Sequence, residues 1–202
     1  TRAGGGYWSF YDDVSYVITP NSGDRGPALL SVARHTNNFF DGLFPDEDES
    51  GTLFNHELLY SPNGTNGGPE GLKIGNPYNH NNGRYDLDDR GADKEPYRFG
   101  FQIRSARGRD DYSQIIAVNQ AVGELSGTDL KNALDPIIDV DQWMRTFAMA
   151  TLTASGDTYG RVWEHNFRYF VRPTDQKVIV LQWDLDSAFG LGSSESILPT
   201  RN

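Results

Sequence analysis

Four polar residues in the C-terminal part of the sequence could do chemistry: Asp157, Asn166, Asp184 and Asp186. Asp184 and Asp186 stand two apart at the end of the apolar run KVIVLQW, residues 177–183. In a strand, residues two apart point to the same side. Read this way, both carboxylates aim at one point while Leu185 turns into the core. Two carboxylates held close repel each other and raise one pKa unless a cation compensates. A metal ion is one explanation of such a pair, and two solvated acids that cap a turn are the other. Asp157 and Asn166 fall on expected loop or strand-start positions, where a rigid scaffold presents functional groups.

The elements that must position these residues are legible in their patterns. FRYFV (167–171) is aromatic and β-branched, RPTD (172–175) is turn chemistry, and 177–183 reads as a buried strand, so the three form a β-hairpin. Asp139 reads as the N-cap of a helix over 141–153, with Gln142 as its capping-box partner. Ile138, Trp143, Met144, Phe147, Ala148 and Leu152 give that helix an apolar stripe for the core, and Ser155-Gly156 ends it. Residues 112–125 carry a second helical stripe, 129–134 a short helix stopped by Pro136, and 97–105 the alternation of a half-buried strand. Residues 7–20 read as one strand or two short ones, and 27–40, with Pro27 at a first helical position, as a helix. His165 is expected to be a hydrogen-bonded structural residue at the start of the hairpin.

The sequence HN followed by an aromatic strand, an RP turn, an apolar strand and WDLDSAFG resembles the signature of the CotH kinase family of atypical kinases. DQWMRTFA (141–148) and SGD (155–157) resemble the same family's helix and the acid that follows it. The specific part spans 139–190 and weaker similarity reaches back to about residue 99. The resemblance implies an α+β, atypical kinase-like fold whose β-hairpin carries the metal-binding acids, with a loop-rich small lobe over 1–96 and a kinase-like core over 97–202. It implies ATP and Mg2+ as cofactors and transfer of phosphate to Ser or Thr of an exported or surface protein. Asp157 would be the catalytic-loop acid, Asn166 a metal or orientation ligand, Asp184 the magnesium-binding Asp and Asp186 a second ligand or support. This is the division of labour that phosphoryl transfer asks of a protein. Arg104 occupies the position where the family has a phosphate-binding lysine, and Lys73 is a second candidate for that role.

A different metal is written into DEDESGTLFNHE, residues 46–57. Numbered as a twelve-residue calcium loop, it places Asp46, Asp48 and Ser50 at positions 1, 3 and 5, Gly51 at 6, the Thr52 carbonyl at 7 and Glu57 at 12. The same residues also read as an acidic turn leading into a strand. Residues 61–96 are dense in turn formers, as a lid or insertion is, and Asp86, Asp88 and Asp89 give a weaker echo of a metal loop. His35, His56 and His80 lack partners at zinc-like spacing and are expected at the surface.

The 202 residues suffice for a sizeable core, and 12% aromatic content argues for packed structure. A net charge of −10 speaks against non-specific nucleic-acid binding and leaves a basic protein substrate open. With no cysteine there are neither disulfides nor thiolate metal sites. No apolar run approaches a membrane span. The opening TRAGGG carries no Met or signal peptide, so a fragment or processed form of an exported or cell-surface protein is expected. GxGxxG, VAIK, HRD and GxxxxGK[ST] are absent, which excludes ordinary protein kinases and P-loop enzymes; GxSxG and HExxH are absent too. Three readings remain: a CotH-like kinase domain, a non-catalytic calcium-binding surface module that keeps the fold, and a phosphodiesterase-like metal hydrolase built on Asp157, Asp184 and Asp186, for which the His ligands such sites often use are lacking.

Overall fold

A computed structural model describes residues 12–21, 26–32, 34–44, 51–56, 87–155 and 166–184. The chain divides into two compact units, Thr1–Asp48 and Glu49–Asn202. The first unit pairs β1 (Asp12–Val17) antiparallel with β2 (Gly26–Val32), followed by helix α1 (Asn37–Leu43). The helix expected over 27–40 is therefore a strand and then a short helix. ALLSV is apolar except for Ser31, a pattern that a helix and a strand share, and pairing with β1 decides the matter. The register slips between Ser15 and Val17, opposite Pro27, which has no N–H to give a ladder. His35 is buried against the rings of Phe39 and Phe40 instead of lying on the surface.

The second unit is built on a four-stranded antiparallel sheet in the order β4-β3-β5-β6. Its strands are β3 (Thr52–His56), β4 (Phe101–Ile103), β5 (Phe167–Val171) and β6 (Val178–Gln182). β3 lies inside this sheet, between β4 and β5. Phe54, Phe101, Ile103, Phe167, Tyr169, Val178 and Val180 share one face and form the core with Ile115 and Val118 of α2 (Ser113–Glu124), Tyr112 just before it, and Trp143 of α4 (Val140–Leu152). His56 belongs to that core: it is fully buried, stacks on Phe101 and bonds the Tyr169 hydroxyl through Nδ1 at 3.2 Å. On the opposite face Leu53, Phe170, Ile179 and Leu181 are buried as well. Burial on both faces explains why 178–181 reads as an unbroken apolar run.

Three further expectations change. Only 101–103 of the strand expected over 97–105 is extended; Pro96–Phe99 is a 3-10 turn with Pro at its first position. Arg98 of that turn is buried, and its guanidinium pairs with Asp110 and with both oxygens of Glu95. In α4, Met144, Ala148 and Leu152 face solvent, while Gln142, Trp143 and Thr146 bond β6 and Phe147 packs on the Phe167 ring. Asp139 does cap α4, accepting from the Gln142 N–H at 3.2 Å, yet the Gln142 side chain does not return to it. Between α2 and α4, helix α3 (Gly127–Leu134) buries no residue. Ahead of β4, residues 88–91 are tied down by the Tyr97 hydroxyl, which donates to Gly91 O and accepts from Arg90 N, and by Asn119, which accepts from Asp88 N.

Candidate functional site

The hairpin β5–β6 is closed at one end by its turn. Arg172 and Lys177 exchange a backbone bond there, and Asp175 accepts from the Arg172 guanidinium and from Lys177 N. Arg172 also reaches the capping Asp139, at 3.0 Å, which fastens the turn to the start of α4. At the open end stand Asn166 and Asp184. Trp183 N donates to Asn166 O at 2.9 Å, and Asn166 Nδ2 points at Asp184 O at 3.4 Å. Two of the four residues named from sequence are thus brought together by strand pairing alone.

Both residues hold a left-handed backbone, φ 61° at Asn166 and 55° at Asp184. Asn and Asp are the non-glycine residues that enter this region most readily, and such conformations gather at functional sites. β6 stops at Gln182, two residues before Asp184, and the described residues end there, so the pairing of Asp184 with Asp186 lies outside them. Asn166 is buried, whereas Asp184 is exposed. Nearby in the hairpin, the Arg168 guanidinium lies over the Trp183 ring, 3.6 Å from its centre.

Arg104 is placed elsewhere. It is exposed, donates from Nη1 to Gln102 Oε1 at 2.9 Å, and its N–H pairs with Leu53 O in the row of Phe170. Four residues of β5 separate that row from Asn166, about 13 Å along the strand, and two strand spacings add about 10 Å across. Thr52 opens β3, buried and opposite Val171. Asn55 and His56, positions 10 and 11 of the calcium numbering, continue as strand, where an EF-hand loop turns into its helix. Asp157, Asp186, Lys73, Asp46, Asp48, Ser50, Glu57 and His165 lie outside the described residues, as do Asp86 and His80. Among the described residues no group of three His, Cys, Asp or Glu side chains could hold a metal ion. None of the described helices is long and apolar enough to cross a membrane.

Asp88 and Asp89, the weaker metal echo, are used locally. Asp89 accepts from Gly91 N, which holds its carboxyl below the usual range, and it shares a hydrogen bond with Glu124 that pushes the latter's carboxyl up. Sequence reasoning missed the part played by Gln142, whose amide bonds both the N–H and the carbonyl of Val180. The only signal for it was a polar residue inside a helical stripe next to Trp143.

An α+β unit whose hairpin opens on a facing Asn and Asp is the class that this fold and site define. The profile of the CotH kinase protein family matches residues 48–199, nearly the whole of the second unit, and the chain belongs to that family. No curated protein and no solved structure matches it.

Proposed function

We propose that this chain is a CotH-like protein kinase domain that transfers the γ-phosphoryl group of ATP to a Ser or Thr hydroxyl of an exported or surface protein. The observation that carries the reading is the meeting of Asn166 and Asp184 at the open end of the hairpin, both in strained backbone, inside the span that matches the family. An Asp carboxylate and an Asn amide oxygen are hard oxygen donors. Mg2+ is commonly held by one or two carboxylates together with substrate phosphates and water, so this donor set suits it. Asp184 and Asn166 would hold the ion, with Asp186 as a further ligand. Bound there, it would neutralise charge on the phosphates. Asp157 would accept the hydroxyl proton as the new O–P bond forms and the bond between the γ phosphorus and the ADP oxygen breaks. Asn166, buried with its Nδ2 turned to Asp184 O, keeps its amide oriented without help from solvent. The negative net charge favours a basic substrate segment, and Lys73 would serve phosphate from outside the hairpin.

Thermal melting with Mg2+, Mg-ATP and Ca2+, on wild type and Asp184→Ala, tests this. A ligand that binds only the folded state at a hundred times its Kd adds about 2.7 kcal/mol. Stabilisation of wild type by Mg-ATP, lost in Asp184→Ala, is the expected result, followed by phosphate incorporation into a Ser/Thr substrate. Stabilisation by calcium alone, without response to ATP, overturns catalysis and leaves the non-catalytic calcium-binding module.

A further inference from the structure

β6 is the outermost strand of its sheet, and every second residue turns its N–H and carbonyl away from β5. Among the described residues no fifth strand receives them. Val178 N donates to Ile137 O at 2.9 Å, and Val178 O accepts from Asp139 N and from the Trp143 indole at 3.2 and 2.8 Å. Two residues on, the primary amide of Gln142 takes both groups of Val180: Nε2 donates to Val180 O at 2.6 Å, and Oε1 accepts from Val180 N at 2.9 Å. Thr146 Oγ1 accepts from the same Nε2 at 3.0 Å, so both amide protons are placed. A side-chain amide has the donor and acceptor of a peptide unit, and Gln142 stands where the next strand's peptide would be. It is 5% exposed, so losing the bond from Val180 N leaves a buried backbone group without a partner, and losing the other leaves Val180 O with the Thr146 hydroxyl alone, at 3.4 Å.

Val180 is three residues before Trp183, whose N–H meets Asn166 O, and four before Asp184. We infer that Gln142 is a positioning residue: by pinning β6 at Val180 from outside, it holds Trp183 and Asp184 against Asn166. The meaning of this for catalysis rests on the reading of Asn166 and Asp184 as the kinase site, but the mechanical claim does not. Gln142 touches neither residue and acts only through the strand.

Backbone hydrogen exchange on the whole chain tests it, on wild type, Gln142→Met and Gln142→Glu. Methionine keeps the length of the side chain and removes both bonds. An ionised glutamate keeps the acceptor and sets a negative charge against Val180 O, whereas a protonated one restores donor and acceptor together. At neutral pH both variants should speed exchange of Val180 and Trp183 by about tenfold or more. Val118 in α2 should keep its wild-type rate. On acidification, the ratio of Gln142→Glu to wild type at Trp183 should fall back toward one, a rescue that generalised loosening would not produce. The inference is overturned if Trp183 stays as protected as in wild type while Val180 alone responds, or if Val118 speeds up in step with both. Absence of Mg-ATP binding in wild type, with Trp183 responding as stated, would instead sink the kinase reading and leave the positioning intact.

Discussion

Replacing Asp110 by Asn removes one partner from a buried guanidinium. The Arg98 side chain is 4% exposed and Asp110 24%, and the two are joined by a short ion pair. Arg98 also has Glu95 on Nε at 3.0 Å and the Tyr112 ring 5.0 Å beneath it. Breaking a fully buried ion pair by removing one member costs about 3–5 kcal/mol, because the other charge is stranded. Glu95 stays in place and Asp110 is partly wet, so the expected loss is about 2–3 kcal/mol. In a chain of this size that is a fall in Tm of about 5–10 °C. Urea unfolding of wild type, Asp110→Asn, Arg98→Met and the double variant gives the coupling directly. The double variant should lose about 1–2 kcal/mol less than the two singles summed, since Arg98→Met leaves no charge to strand. Single losses that add to within about 0.5 kcal/mol would refute the reasoning. Acid gives an independent check. The Arg98 guanidinium holds the Asp110 carboxyl below the usual carboxylate range. The stability this contributes is complete above the unfolded carboxyl's pKa, about 3.9, and is lost as pH falls through the lower folded value. Wild type should therefore lose stability more steeply than Asp110→Asn below about pH 4.

Asp139→Ala should cost about 1–2 kcal/mol by urea unfolding, since it removes the cap of α4 and the pair with Arg172; Asp139→Asn, which keeps a capping oxygen, should cost less. Equal losses would mean that the cap contributes nothing. Gly51→Ala places a methyl against the Phe170 ring and the Val171 carbonyl, and should lower stability by about 1–3 kcal/mol; a change below about 0.5 kcal/mol would show that the backbone does not approach so closely. At Asn166, Gly should be tolerated better than Ala by about 1 kcal/mol in thermal unfolding, because only Gly relieves the left-handed backbone. The reverse order would contradict that conformation.

The hairpin was legible because its signals agree: aromatic and β-branched strands on either side of an Arg-Pro turn, in a register that needs no help from elsewhere. Asp139 was legible as a cap for the same local reason. What escaped was whatever depends on distant partners. ALLSV became a strand because β1 was available to pair with it. His56 is a core residue because Phe101 and Tyr169 arrive on both sides, and no local spacing announces this. Met144 and Leu152 fit a helical stripe, but the helix turns a different face to the sheet because Gln142 and Trp143 bond the backbone of β6. The parity argument for Asp184 and Asp186 reaches past the described residues, which end at Asp184 in a left-handed backbone. Even so, the adjacency of Asp184 to Asn166, eighteen positions earlier, followed from hairpin pairing.

The way α4 occupies β6 has a consequence for self-association. An outermost strand with free amides is a template for another chain, and proteins suppress it by covering, shortening or charging such strands. At Val178 and Val180 the outward groups are already bonded within the chain, so an extended peptide arriving there finds neither donor nor acceptor. The sheet's other outer strand, β4, is only three residues long and is followed at once by the charged Arg104. β-Augmentation and fibril-like stacking are thus disfavoured along β6, and a mutation that frees Val180 would expose an aggregation-prone rim before it unfolded the domain.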